Sequence, residues 1–320
     1  MITPFKAMQT ALDIVESSSH PSNKVSASVF GDTAKGINFL VAHTNHWPTI
    51  IADRIGLNVK IGNSSGTIHA ETACLTDISA PTEGASICIT DPFCPNCAKN
   101  IAEAGIKNIY IDQRGFQKDF FKRRSDHFET MSMQIAERAG INVYAVDMNK
   151  EEITTIFEAP KDYTPIEDSP IECSPIKEAN EETFQSIVAI AEEKHKRRKY
   201  AIALVQDSDS NKFSLVSRAH AVIGYSMQKP DEAIELMRPI DKYSFIQEPV
   251  NRLLMHLSRK GYKLINGFMY CSQVPTSREQ VNLVGTGITR ITIGDTQKCR
   301  DIHGRTAMKQ LQEQKILDYS

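Results

Sequence analysis

The stretch from Glu158 to Glu182, EAPKDYTPIEDSPIECSPIKEANEE, constrains this chain more than any other. Pro160, Pro165, Pro170 and Pro175 recur every five residues among acidic and small polar side chains. Proline lacks an amide donor and fixes its own φ, so this density excludes helix and central strand. The stretch reads as an extended linker, strapped along a surface by Ile166, Ile171 and Ile176, which follow three of the prolines. A chain of 320 residues divided here leaves two pieces of domain size. The expected division is a domain over 1–150, a linker over 151–182 and a second domain over 183–320.

The two pieces begin alike. Met8, Ala11, Leu12 and Val15 keep the spacing of one helix face, and Phe184, Ile187, Val188 and Ala191 repeat it. Each helix precedes two strand candidates joined by a polar turn: VSASVF and NFLVAH around GDTAKG, then YAIALV and FSLVSR around DSDSNK. Later, AGIKNIYI (104–111) matches TGITRITI (286–293), each a helix end, a glycine turn and a strand. Four matches in one order indicate an internal duplication.

Chemistry concentrates in the first piece. TIHAETA (67–73) is followed by TDPFCPNCAKNIAEAGI (90–106). Histidine and cysteine are zinc ligands, and Cys94 and Cys97 stand at a spacing that lets one helix turn aim both sulfurs at one ion. With His69 they make three protein ligands, which leaves the fourth tetrahedral position open, as in catalytic rather than structural sites. Zinc lowers the pKa of a bound water to about 7. Glu71 is not needed as a ligand and is placed to shuttle protons. A redox pair or a structural half-site is the bland alternative for the C-x-x-C. Cys74 and Cys88 fall on apolar elements and read as buried free thiols.

The H-x-E…P-C-x-x-C pattern resembles the cytidine/deoxycytidylate deaminase superfamily. PFCPNCAKNIAEAGIKNIYI is most similar to the deoxycytidylate deaminases, and the resemblance spans roughly residues 5–147. One departure is Phe93, which stands between Pro92 and Cys94 where the family has proline directly before cysteine. The resemblance implies a three-layer α/β/α cytidine-deaminase-like fold, here duplicated, with Zn2+ on His69, Cys94 and Cys97 and Glu71 as the catalytic acid/base. It also implies substrate contacts at Asn45, Ala70 and Pro92; the alternative for Asn45 is a turn residue before Pro48. His43 and His46 read as loop residues. The insertion at 49–68 holds no Cys or His before Ile68, so no second zinc is expected there, and it reads as a polar cover.

NIYI (108–111) and NVYAVD (142–147) are separated by about thirty residues rich in helix formers. A connection that long implies a parallel crossover rather than a hairpin. Within the superfamily this places the chain on the deoxycytidylate/tRNA-adenosine branch. Lys122, Arg123 and Arg124 on the crossover are a phosphate-binding candidate, weighed against a solvated helix face. KHKRRK (194–199) ends a helix and complements its dipole.

The second piece lacks the motif. Matching Gly105 to Gly287 sets Thr276 against Cys94 and Glu279 against Cys97. It also sets IQE (246–248) against HAE, so that Ile246 replaces His69, and places Asn45 near Ala221 or Val222. No zinc is expected there. The expected role is an intrachain pseudo-dimer partner, with Arg278 and Arg290 read as surface charge.

A net charge of −2 and the absence of an aromatic-basic stripe favour a small nucleotide, dCMP-like, over nucleic acid such as tRNA. A non-catalytic zinc-binding protein is a third reading. Neither a secretory signal nor a membrane span is recognisable, and seven unpatterned cysteines suit a reducing cytoplasm. Homodimerisation is left open.

Overall fold

The computed structural model describes residues 1–320 apart from Ala34, Arg124, Arg197 and 240–242, and the side chain of Phe120. Thr3 caps the first helix, α1 (Pro4–Ile14), by accepting from Lys6 N, with Pro4 at the tolerated first position. The hairpin β1 (Ser26–Asp32) and β2 (Asn38–Thr44) follows, then α2 (Ala70–Asp77), β3 (Ser86–Ile89), α3 (Pro95–Glu103) and β4 (Asn108–Asp112). The first half ends with α4 (Met133–Arg138), β5 (Asn142–Asp147) and β6 (Glu152–Phe157). The second half contains β7 (Glu172–Ile176), α5 (Glu181–Lys194), β8 (Tyr200–Gln206), β9 (Lys212–Arg218), α6 (Pro249–Lys260), β10 (Lys263–Val274), α7 (Ser277–Gly285), β11 (Arg290–Cys299), α8 (Ile302–Glu313) and β12 (Asp318–Tyr319).

Two six-stranded sheets result, in orders β2-β1-β3-β4-β5-β6 and β12-β11-β10-β8-β9-β7. In the first, β1 is antiparallel to β2 and β3, while β3, β4 and β5 run parallel. In the second, β8 is antiparallel to β9 and β10, while β10, β11 and β12 run parallel. The duplicated α/β fold is thus written in the strand order. The parallel run β4–β5 is the crossover expected from its long connection. Parallel strands are covered on both faces, and Ile87, Ile89, Ile109 and Ile111 accordingly have no exposure.

The segment 151–182 is more structured than an extended linker. It places β6 at the edge of the first sheet and, within its proline-rich part, β7 at the edge of the second. Pro175 lies in β7 opposite Phe213, an edge position where a missing N–H costs no ladder bond. Between them Asp168 accepts from Ser226 Oγ, and Ser169 O accepts from Arg252.

One apolar core runs through both halves, from Ala27, Leu75 and Ile101 to Leu253, Leu254 and Val281. The helices α2 and α3 of the first half meet α6 of the second. α1 covers the far face of the first sheet and α5 that of the second. Where the halves meet, Arg252 Nε lies 3.2 Å from Glu103 Oε1, with both side chains at most 4% exposed. Lys99 Nζ crosses to the carbonyls of Ser244 and Ile246 at 3.0 and 2.8 Å.

Candidate metal centre and active-site cleft

Two helix starts build the centre. His69 immediately precedes α2 and Cys94 immediately precedes α3, with Cys97 one turn into α3. Pro95 at the first position of α3 fixes the backbone between the cysteines. His69 Nδ1 lies 3.1 Å from Cys97 Sγ and 3.7 Å from Cys94 Sγ, and the two sulfurs are 3.5 Å apart. Ligands on tetrahedral zinc are separated by about 3.6 Å for N to S and about 3.8 Å for S to S, given the usual bond lengths. The three residues therefore fit a zinc ion. Contact with Cys97 holds the Cys94 thiol well below its ordinary value against the effect of burial, and His69 adds to this.

Glu71 sits on the first turn of α2 and is 4% exposed. Burial raises its carboxyl above the usual range, although His69 opposes the shift. Glu71, His69 and Cys94 line a cleft of about 560 Å³ that also reaches Asn45, Ala70 and Pro92. Asn45 is tightly held: Oδ1 accepts from Ser18 Oγ and Val25 N, and Nδ2 donates to Asn23 O. Pro92 faces the cleft, whereas Phe93 is 1% exposed and packs edge-on against Phe128 at 5.3 Å. Phe93 thus belongs to an aromatic cluster with Phe116 and Phe121 rather than to the cleft wall.

No family model matches the chain. It is 26% identical over 126 residues to an uncharacterized deaminase encoded in the luxG 3' region of Aliivibrio fischeri, covering 39% of this chain and 81% of that protein. It is 31% identical over 87 residues to ComE operon protein 2 of Bacillus subtilis (strain 168), covering 26% of this chain and 40% of that protein. The chain is thus similar in sequence to a deaminase. Among solved structures, dCMP deaminase from the cyanophage S-TIM5 in apo form is 21% identical with a TM-score of 0.30, covering 45% of this chain and 96% of that one. The same enzyme in complex with dCMP and dUMP is 22% identical with a TM-score of 0.29, covering 43% of this chain and 93% of that one.

In this chain the second half carries an ion-pair cluster at the positions that match His69 and Cys97. Its register corrects the sequence match by two residues. Asn45 N bonds Val25 O just as Ala219 N bonds Lys199 O, so Ala219, not Ala221 or Val222, corresponds to Asn45. Glu248 precedes α6 as His69 precedes α2, so Glu248, not Ile246, stands in the place of His69. Thr276 precedes α7 in the place of Cys94, and Glu279 takes that of Cys97. The error arose because IQE resembles HAE in spacing, whereas helix starts fix position. Lys199 Nζ lies 2.8 Å from both Glu248 Oε2 and Glu279 Oε2, with its side chain 8% exposed. Burial lowers the Lys199 ammonium, but the two carboxylates outweigh it and raise it above its ordinary value. An ammonium held by the residues at two ligand positions thus supplies the cation of this half.

The insertion at 49–68 docks on the second half. Gly62 N donates to Gln310 Oε1, and Arg54 Nη1 donates to the carbonyls of Gln314 and Lys315. Arg278 is not surface charge: it lines the cleft and donates to Thr67 O and Ser65 O. Arg290 does lie at the surface, 3.6 Å from Asp318. Lys122 pairs with the Asp119 carboxylate and Arg123 Nε donates to Asp119 O, neither lining the cleft, and Arg124 lies outside the described residues. His43 pairs with Asp77, and His46 contacts Thr44 O. Sequence reasoning missed His20, which lines the cleft, stacks on Trp47 at 5.4 Å and accepts from Asn23 N. An isolated histidine in a polar turn offers no periodic signal. Cys74 and Cys88 are fully buried, and burial pushes both thiols up. Among the described residues no helix is long and apolar enough to cross a membrane.

Proposed function

We propose that this chain is a zinc-dependent hydrolytic deaminase that converts a cytosine nucleotide, dCMP-like, to its uracil form with release of ammonia. The observation that carries the reading is the convergence of His69, Cys94 and Cys97 beside the buried carboxyl of Glu71 in one cleft. His69, Cys94 and Cys97 would hold the zinc, which when bound supplies an electrophilic centre where water gives up a proton near neutral pH.

Glu71 does the proton work. Its carboxylate takes the proton from the attacking water and delivers protons to the ring nitrogen and the departing amine. Burial raises the carboxyl, which makes it a better proton acceptor than an exposed glutamate. Ala70 opens α2, so its N–H is among the donors that a helix start leaves without an intrahelical partner, and it serves the base carbonyl. Pro92 forms the wall opposite, and Asn45, fixed through Ser18 and Asn23, meets the sugar.

The halves act as an intrachain pseudo-dimer, with domains over 1–150 and 183–320 and a structured connection over 151–182. The second half is inert and supports the first. The cytoplasm is the location we propose, a reducing compartment that suits the free cysteines. Zinc content and ammonia release on cytosine and adenine nucleosides, nucleotides and tRNA test the reading. One zinc per chain and turnover of a cytosine nucleotide are expected, with Glu71→Ala slower by about 10²–10⁴-fold and chelation abolishing activity. Zinc bound without turnover of any substrate would refute it, and equal rates in Glu71→Ala would refute the role of Glu71.

A further inference from the structure

The chemistry above uses nothing from the second half, yet that half places an arginine in the cleft. Arg278 Nη1 donates to Thr67 O at 2.6 Å and Nη2 to Ser65 O at 3.3 Å. Both acceptors are neutral, and among the described residues Arg278 has no carboxylate partner. Two of its five N–H groups are used. Burial pushes the guanidinium below its ordinary value, while Cys94, Cys97 and Tyr243 oppose the shift. Lys99 lines the same cleft at 5% exposure with carbonyls as its hydrogen-bond partners, and burial pushes it down to about 8.

The carboxylates along the cleft are otherwise committed. Glu248 pairs with Lys199 and Arg300, and Asp91 with Lys118. Asp301 caps α8 by accepting from Gly304 N, and Glu71 serves the reaction. Zinc with two thiolates and a neutral imidazole carries no net charge. The cleft therefore keeps two cations without carboxylate partners. A phosphate monoester, with about −1.5 to −2 charge at pH 7, matches them.

We propose that Arg278 is a specificity-determining residue of the cleft and receives the phosphate of a nucleotide substrate through the N–H groups that its carbonyl contacts leave open. Lys99 supplies the second positive charge. The proposal rests on the deaminase reading and names the part of the substrate that the second half recognises. It gives the inert half a role that packing alone does not: the first half carries the reacting centre, and the second selects nucleotide over nucleoside. The same guanidinium clamps the carbonyls just before His69, so phosphate recognition and the position of a metal ligand share one side chain.

The test compares dCMP with deoxycytidine on the zinc-loaded full chain and its Arg278→Gln and Arg278→Lys variants. Charge-assisted hydrogen bonds are worth roughly 1.5–3 kcal/mol, so Arg278→Gln lowers the dCMP-to-deoxycytidine ratio of kcat/KM by about 10- to 100-fold. Arg278→Lys, which keeps the charge and loses the fork, lowers it less and guards against a folding defect. An equal fall on both substrates, or an unchanged ratio, would overturn the proposal, since a purely structural arginine affects both alike. Calorimetric binding of the same two probes separates the two readings. Tighter binding of dCMP that Arg278→Gln removes, without turnover in the wild type, sinks the deaminase reading and keeps the phosphate site. Binding with no preference for dCMP overturns the phosphate site.

Discussion

Lys199→Met isolates the ion-pair cluster at the positions of the second half that match His69 and Cys97. Lys199 contacts Glu248 and Glu279, both buried. Without it Glu248 keeps Arg300 at 2.9 Å. Glu279 keeps hydrogen bonds from Val250 N, Thr276 N and Thr276 Oγ1 but has no cation left. One buried carboxylate is thus stranded. Breaking a buried pair from one side costs about 3–5 kcal/mol; the surviving Arg300 contact and the three donors set the expected loss near the lower end, about 3 kcal/mol. Equilibrium urea unfolding followed by far-ultraviolet circular dichroism measures it. Lys199→Met/Glu279→Gln removes the stranded charge while retaining an acceptor, and should recover part of the loss. On the proposed function, zinc content should remain one per chain in both variants, because His69, Cys94 and Cys97 lie in the other half. Stability of Lys199→Met within about 1 kcal/mol of wild type would refute the reasoning, as would a double variant no more stable than the single one.

Other perturbations follow from the same structure. Glu103→Gln leaves Arg252 buried against the neutral carbonyls of Arg218 and Ser169, and should destabilise the contact between halves by about 3 kcal/mol in urea unfolding. Gly62→Ala forces a side chain onto a backbone with φ of 58° and against Ser277 Oγ and His303 O; a loss of about 1–3 kcal/mol is expected from thermal unfolding, with looser docking of the insertion. Burial, with Arg259, Lys260 and Arg252, pushes His256 down to about 4, although Glu83 opposes. Its folded pKa is below the unfolded value near 6.5, so the unfolded chain takes up a proton first and stability falls as pH drops from 6.5 through 4. His256→Gln should remove about 2–3 kcal/mol of that acid sensitivity, seen as a flatter dependence of unfolding free energy on pH.

Local chemistry made the catalytic motif readable. His69, Glu71, Cys94 and Cys97 each lie at the start of a helix, where spacing along the chain fixes spacing in space. The duplication was readable because hairpins and glycine turns repeat their hydrophobic pattern. Phe93 shows the limit: its identity announced a departure, but only packing against Phe128 revealed that it points away from the cleft. Arg278, His20 and Lys99 carry no local pattern, since nothing in their neighbours distinguishes a cleft-lining cation or imidazole from a solvated one.

The sequence by itself determined the candidate ligand set, the α/β alternation, the parallel crossover and the absence of His and Cys from the matching positions of the second half. Each depends on periodicity or on residues within one turn of each other. Tertiary structure alone decided what stands at the matching positions of the second half and what that half brings to the first. Lys199 meets Glu248 and Glu279 only because β8 runs beside the starts of α6 and α7. Arg278 meets Thr67 only because the insertion folds onto the second half, 211 residues away in sequence. Electrostatic partners are chosen by distance in space, and long-range packing, which a single sequence does not encode in any local pattern, sets those distances.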